Sequence, residues 1–170
     1  MSNAIPFTSK PPIAEIGSQG SPPPVPDAPS GRKKVLIVDD SVVILRTLSM
    51  KLTANGYDVV TAEDGGTAVN IARNVKPDII LLDVSFPPDV AHGGGVPWDG
   101  FLIMAWLRRM EEVRDIPVIV ITGGDPAKMK SRALAAGAIS FFHKPFNNDE
   151  LLAVIGRVIA DNEAQKAELA

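Results

Sequence analysis

Four short, mainly apolar runs, each followed by polar or charged residues, constrain this chain more than any other feature. Runs of this kind are typical of buried strands in a parallel sheet. They are Val35–Val38, Ile79–Leu82, Val118–Ile121 and Ser140–His143, and the residues that follow them are, in order, Asp39 with Asp40, Asp83, Thr122 and Lys144. Because open α/β folds bind ligands at the carboxyl ends of their strands, we expect these side chains to meet at one edge of the sheet.

Three of the converging side chains are carboxylates, which repel one another unless a cation lies among them. Oxygen ligands without histidine or cysteine favour Mg²⁺ or a similar hard cation. A lysine and a threonine at the same edge add a positive charge and a hydroxyl group. This set suits phosphoryl transfer, in which positioning and charge neutralisation supply most of the catalysis. An aspartate can itself act as the nucleophile and form an aspartyl-phosphate.

Composition excludes several other classes of protein. The 170 residues include no cysteine, which rules out disulfides, thiolate zinc sites and cysteine nucleophiles. A net charge of −3 gives the molecule as a whole no electrostatic attraction for nucleic acid. The sequence has neither a signal-peptide pattern nor an apolar stretch near the roughly 20 residues of a membrane span. We therefore expect a cytoplasmic protein with no direct nucleic-acid partner and no membrane partner.

Strand and helix signals alternate from Arg32 onward, with a further strand predicted at 57–62. Helices are predicted at 41–55, 65–74, 99–113, 125–136 and from 148 onward, with Asp99, Asp125 and Asn148 as N-caps of the last three. This alternation predicts a parallel sheet with right-handed crossovers and helices on both faces. Helical spacing suggests that Trp106 lies in the core or an interface. Arg108 and Arg109 are expected to be solvated.

The two ends of the chain differ from this pattern. Residues 1–31 are rich in proline, which fixes φ and removes backbone donors, so we expect a disordered or polyproline-type leader. Residues 161–170 are polar and rich in alanine and glutamate, and they are expected to form a polar tail or to extend the last helix.

The order of the motifs resembles that of the receiver domain of two-component response regulators. The segments that carry the resemblance are Val35–Ser41, Pro77–Asp83, Ile121–Gly124 and Phe141–Phe146, with Gly137 and Ala138 before the last of them. Each motif is weak alone, but together and in this order they form a strong signal that covers residues 32–160. The resemblance implies a flavodoxin-like (βα)5 fold, a doubly wound five-stranded parallel sheet with strand order 2-1-3-4-5.

The resemblance also implies a role for each acidic position. Asp83 corresponds to the phosphoacceptor. Asp39 and Asp40 correspond to the acidic pair that holds Mg²⁺, with Asp83 and the carbonyl group of Ser85 completing the metal site.

Three other residues match positions of the receiver family that respond to phosphorylation. Thr122 corresponds to the switch hydroxyl, which moves toward the phosphoryl group, and Phe141 to the switch aromatic residue. Lys144 corresponds to the lysine that pairs with a phosphate oxygen, and the Lys144–Pro145 bond to a cis peptide.

Taken as a receiver, the chain is a signalling module and not an enzyme. A sensor histidine kinase or a phosphotransfer protein would phosphorylate Asp83 in a Mg²⁺-dependent reaction, and this would switch a protein-interaction face. The face built by the fourth helix, fifth strand and fifth helix would then bind a downstream protein target or fused domain, or form a homodimer. The chain is expected to be either a stand-alone receiver or a piece of a larger regulator.

One segment departs from the receiver pattern, and two other functions compete. Residues 86–98 lengthen the connection that follows Asp83, and we hypothesise a flap or a partner-docking surface there. A haloacid-dehalogenase-like phosphatase also uses an aspartyl-phosphate, Mg²⁺, a threonine and a lysine, but its motifs occur in another order and it carries a cap domain. The second alternative is a scaffold with the receiver fold that works without phosphate.

Overall fold

The computed structural model describes residues 31–85 and 99–170, so the predictions for the proline-rich leader and for the lengthened connection at 86–98 lie outside the described residues. Strands and helices alternate along the described chain. The strands are β1 (Lys34–Val38), β2 (Asp58–Ala62), β3 (Ile79–Asp83), β4 (Val118–Thr122) and β5 (Ser140–His143). The helices are α1 (Val42–Ala54), α2 (Gly65–Val75), α3 (Gly100–Arg109), α4 (Pro126–Ala135) and α5 (Asn148–Glu168).

The five strands form one parallel sheet in the order β2-β1-β3-β4-β5. The predicted fold class is therefore confirmed. The central strands β3 and β4 are buried along their whole length, whereas the edge strands β2 and β5 carry partly exposed residues. Helices cover both faces of a doubly wound sheet, so the central strands are enclosed, whereas β2 and β5 each have one side edge without a neighbouring strand.

Alternation along the strands divides the apolar side chains between two cores. Val35 and Ile37 of β1 pack with α1 and α5, while Leu36 and Val38 pack on the opposite face with α2, α3 and α4. The same period of two separates the neighbouring aromatic residues of β5, since Phe142 joins the α1 and α5 core and Phe141 packs against the other.

Each described helix begins at a residue whose side chain accepts a backbone hydrogen bond from its first turn. These N-caps are Ser41, Asp64, Asp99, Asp125 and Asn147. Asp99 and Asp125 were predicted, but for α5 the cap lies one residue earlier than the predicted Asn148. α5 continues through Glu168. In the described part of the chain, no helix combines the length and the apolar character needed to cross a membrane.

The predicted end of α3 was wrong. The helix ends at Arg109 rather than near Val113, and Met110 is already extended. Glu111 and Glu112 follow, and acidic residues are unfavourable at the negative end of a helix dipole. Trp106 is 46% exposed and so lies outside the core, because Phe101, Ile103, Met104 and Leu107 form the buried face of the helix. The alternative, that Trp106 lies in an interface, stays a prediction.

Arg108 is not a solvated residue, which corrects a further prediction. Its guanidinium group donates hydrogen bonds to the carbonyl oxygens of Arg114, Ile116 (3.1 Å) and Gly137 (2.8 Å). These carbonyl groups belong to the connections before β4 and before β5. Arg108 therefore joins the end of α3 to the connection that follows it and to the loop at Gly137, which is 29 residues away in sequence.

Candidate functional site

The predicted site residues lie at the carboxyl edge of the sheet. Asp83 and Thr122 are the last residues of β3 and β4, Asp39 directly follows β1, and Lys144 directly follows β5. Asp39 and Asp83 are each 3% exposed and Thr122 is fully buried. Three polar side chains buried so deeply at one edge need partners within the protein.

Lys144 supplies a partner for both buried carboxylates. Its Nζ atom lies 2.6 Å from Oδ2 of Asp39 and 2.8 Å from Oδ2 of Asp83. The side chain of Lys144 is only 19% exposed, so this ammonium group is largely shielded from water. The three side chains form a charge-assisted network, which is stronger than the same contacts at the surface.

The other oxygen atom of each carboxylate is held by its own backbone. Oδ1 of Asp39 accepts a hydrogen bond from the N–H group of Ser41 at 2.8 Å, and Oδ1 of Asp83 accepts one from the N–H group of Ser85 at 2.7 Å. Both are local turns in which an aspartate binds the residue two positions ahead. The rotamers of Asp39 and Asp83 are therefore constrained from both sides.

Burial and pairing raise the pKa values of both Asp39 and Lys144. Burial raises the pKa of Asp39 above its ordinary value, although the hydrogen bonds from Lys144 and from the N–H group of Ser41 oppose the shift. Burial acts to lower the pKa of Lys144, but the hydrogen bonds and charges of Asp83 and Asp39 outweigh this effect and the pKa is raised. Lys144 therefore stays positively charged at neutral pH.

Asp40 completes a cluster of three acidic residues. Unlike Asp39 and Asp83 it is exposed to solvent, and one carboxylate oxygen of each of the three lies within 4.8 Å of the others. The donor atoms are all oxygens, which suits a hard divalent cation such as Mg²⁺, and the exposed Asp40 leaves a side open to water and phosphate. The residues present therefore fit such an ion.

Thr122 is the last residue of β4, and Phe141 lies within the neighbouring strand β5. The hydroxyl oxygen of Thr122 accepts a hydrogen bond from the N–H group of Gly124 at 3.3 Å, and the carbonyl oxygen of Thr122 accepts one from the N–H group of Lys144 at 2.9 Å. Phe141 is partly buried against the core formed with α2, α3 and α4. The peptide bond between Lys144 and Pro145 is cis.

Gly100, the first residue of α3, packs closely against the backbone of Asp83 and Val84. A Cβ atom at this position would lie 2.4 Å from Cα of Val84 and 2.7 Å from the carbonyl oxygen of Asp83. The first turn of α3 is therefore in direct contact with the backbone of Asp83, at a distance that only glycine permits.

Two contacts with Asp83 were not predicted from the sequence, one from the hydroxyl group of Ser85 and one from Gly100. The hydroxyl group of Ser85 donates a second hydrogen bond, 2.7 Å long, to Oδ1 of Asp83, whereas the predicted metal site used the carbonyl group of Ser85. An Asp-x-Ser sequence directly after a strand is a recognisable turn signal that could have indicated this contact. The packing of Gly100 on Asp83 had no comparable local signal, because it depends on where α3 docks.

The sequence profile of the response regulator receiver domain matches residues 35–156, which is most of the described chain. The chain belongs to the response regulator receiver family. The family serves two-component signal transduction, and its receiver domains accept phosphoryl groups from kinases or phosphotransfer proteins.

Curated relatives support this assignment at moderate identity. Protein PilH of Pseudomonas aeruginosa is 35% identical over 127 residues, covering 75% of this chain and 98% of PilH. Response regulator PleD of Caulobacter vibrioides is 39% identical over 120 residues, covering 71% of this chain but 24% of PleD. The receiver chain therefore corresponds to nearly the whole of one relative and to about a quarter of the other.

Solved structures show the same fold. The chemotaxis response regulator CheY4 of Vibrio cholerae superposes with a TM-score of 0.64 at 33% identity, covering 75% of this chain and 98% of that one. A CheY-like receiver domain protein of Methanospirillum hungatei gives a TM-score of 0.68 at 25% identity, over 79% and 98% of the two chains.

Proposed function

We propose that Asp83 is the phosphoacceptor of this receiver and that residues 32–160 form the phosphoaccepting unit. The observation that carries the proposal is the placement of Asp83, a buried carboxylate bound by Lys144 at 2.8 Å within a cluster of acidic residues. A sensor histidine kinase or a phosphotransfer protein is the proposed donor.

In the proposed reaction, a carboxylate oxygen of Asp83 attacks the phosphorus atom of a phosphohistidine. An O–P bond forms while the P–N bond breaks, and the leaving imidazole takes a proton from solvent. Asp39, Asp40, Asp83 and the carbonyl group of Ser85 would hold Mg²⁺, which when bound neutralises charge on the transferring group. The hydrogen bonds from Ser85 to Asp83 hold the nucleophile in one orientation during the attack.

Lys144 has a second task once the O–P bond has formed. Its ammonium group now contacts Oδ2 of Asp83, and it lies within reach of a phosphoryl oxygen attached to that carboxylate. Transfer of the contact from carboxylate to phosphoryl oxygen keeps the lysine paired. The contact made by Lys144 then differs between the unphosphorylated and the phosphorylated state, and a switch requires such a difference.

Thr122 and Phe141 are the proposed switch residues. The added group brings about two negative charges and several acceptor oxygens to the end of β3. The hydroxyl group of Thr122, on the adjacent strand β4, can donate to one of these oxygens, and its displacement leaves space beside it for the Phe141 side chain. We propose that the face formed by α4, β5 and α5 then binds a downstream protein or a second copy of the chain.

The test is phosphorylation by acetyl phosphate in the presence of Mg²⁺, followed by intact-protein mass spectrometry. The native chain should gain one phosphoryl group, and Asp83→Asn should gain none. Asp115→Asn, which neutralises an exposed aspartate remote from the carboxyl edge, is the matched control and should behave like the native chain. Phosphorylation of Asp83→Asn at the native rate would refute the assignment.

A turnover assay addresses the phosphatase alternative. A haloacid-dehalogenase-like phosphatase would hydrolyse a generic phosphate ester with many turnovers, whereas a receiver takes up a single phosphoryl group. We expect no turnover of p-nitrophenyl phosphate above the level of Asp83→Asn.

A further inference from the structure

Helix α4 is held to the domain by few buried side chains. Ala133 is its only buried residue, and Met129 is partly buried against the same core. The helix begins four residues after Thr122 and is exposed along most of its length. An element with so little buried apolar surface has low local stability, so each additional side-chain contact has a large influence on its position.

Arg132 provides such a contact between α4 and α3. The central carbon atom of its guanidinium group lies 3.9 Å from the centre of the Phe101 ring, and its Nη2 atom lies 3.6 Å from Oδ2 of Asp99. Phe101 is 8% exposed, so the guanidinium group of Arg132 lies against a ring that is almost fully buried. A cation over an aromatic face is attractive even at a partly exposed site.

The two partners of Arg132 flank the glycine that contacts the phosphoacceptor. Asp99 is the N-cap of α3, and its Oδ1 atom accepts a hydrogen bond from the N–H group of Leu102 at 2.7 Å, which leaves Oδ2 for Arg132. Gly100 lies between Asp99 and Phe101 and packs on the backbone of Asp83. Both residues that Arg132 contacts, Asp99 and Phe101, are therefore direct sequence neighbours of Gly100, the residue that packs on the backbone of Asp83.

We propose that Arg132 is a latch that couples the position of α4 to the phosphorylation state of Asp83. The latch consists of Arg132 on α4 and of Asp99 and Phe101 in the first turn of α3. This inference rests on the proposed function of Asp83, and it adds a route that runs through α3 in parallel with the route from Thr122 into α4.

The direction of the coupling follows from the arrangement described. Both carboxylate oxygens of Asp83 carry hydrogen bonds, from Lys144 and from Ser85, so this arrangement belongs to the free carboxylate. The latch stabilises α4 in this arrangement. Breaking the latch shifts the population toward other positions of α4 and so raises the affinity for a ligand that selects them.

Beryllofluoride, an analogue of the phosphoryl group, tests the coupling when it is titrated at saturating Mg²⁺. Arg132→Ala should bind it about three- to fivefold more tightly than the native chain, a size set by an exposed cation–π contact and a weak ion pair. Asp99→Asn retains a capping oxygen but loses the ion pair, and it should give a smaller shift in the same direction. Lys130→Ala, which removes a positive charge from the same helix, should leave the affinity unchanged.

Hydrogen exchange in the absence of ligand provides a second readout. Arg132→Ala should speed exchange of the amides of α4 and of the first turn of α3, while the amides of β1 and β3 exchange at the native rate. Unchanged exchange in α4 would overturn the latch.

An unchanged or weaker affinity of Arg132→Ala for beryllofluoride would also overturn the latch. If that variant only melts at a lower temperature, with the same affinity, then Arg132 contributes to packing alone. If the native chain itself does not bind beryllofluoride through Asp83, the proposed function fails and the coupling fails with it. Native binding with no shift in Arg132→Ala refutes the coupling alone.

Discussion

The ammonium group of Lys144 lies 2.8 Å from a carboxylate oxygen of Asp83, although the two residues are separated by 61 positions in the chain. The same ammonium group contacts Asp39 at 2.6 Å. One partly buried cation thus pairs with two buried anions, and a divalent cation would compete with it for the same carboxylates.

This relationship predicts opposite effects of Lys144→Ala on two ligands. Loss of a charge-assisted hydrogen bond should weaken beryllofluoride binding about ten- to a hundredfold, since such bonds contribute about 1.5–3 kcal/mol. Removal of the competing ammonium group should at the same time strengthen Mg²⁺ binding. Isothermal titration calorimetry measures both. Lys144→Arg keeps the charge and should show a smaller change in each, and parallel changes in the two affinities would contradict the proposed role.

Asp40 should matter for metal binding and not for stability. Because its side chain is exposed, Asp40→Asn is expected to change the free energy of unfolding by less than about 0.5 kcal/mol. Loss of one carboxylate from the acidic cluster should weaken Mg²⁺ binding by about tenfold or more. Titration of Mg²⁺ into the two proteins measures the difference, and Asp161→Asn on the exposed side of α5 is the control. Native affinity in Asp40→Asn would remove Asp40 from the metal site.

Two helical glycines should respond in opposite ways to alanine. Gly100→Ala places a methyl group 2.4 Å from Cα of Val84, so we expect a loss of about 1–3 kcal/mol in the free energy of unfolding. At Gly156 the nearest atom to a new methyl group is the Tyr57 hydroxyl oxygen at 3.6 Å, an ordinary contact. Gly156→Ala should therefore stabilise the protein by about 0.5–1 kcal/mol. Urea denaturation measures both changes in the free energy of unfolding. Equal changes in the two variants would contradict the close approach of Gly100 to the backbone of Asp83 and Val84.

The neighbouring arginines of α3 form another matched pair. Arg108→Ala leaves the carbonyl oxygens of Arg114, Ile116 and Gly137 without their donor, and should cost about 2–3 kcal/mol of stability. Arg109→Ala, at an exposed position one residue later, should cost less than about 0.5 kcal/mol. Chemical denaturation at neutral pH measures both. A similar loss in the two variants would indicate a general effect of charge instead of the hydrogen bonds of Arg108.

The secondary structure was largely predictable, and so were the buried faces of α1, α2 and α5, but not that of α3. Apolar runs such as Val118–Ile121 are strands because both faces of a parallel sheet are covered, and Asp99 and Asp125 were identified as caps by their positions before helices. The end of α3 was predicted near Val113 but lies at Arg109, because the acidic residues that follow are unfavourable in the last turn of a helix. The assigned roles of Asp83, Thr122 and Lys144 stay predictions until the variants are measured.

The sequence by itself determined the period of two along each strand, the caps and the polar residues at the strand ends, because these depend on neighbours a few positions away. Only the tertiary structure decided which distant groups meet. It placed one ammonium group between Asp39 and Asp83, directed Arg108 to the carbonyl group of Gly137, and set Arg132 over the ring of Phe101. The reach of a long side chain depends on how separate helices and strands pack, and no local pattern in the chain records that packing.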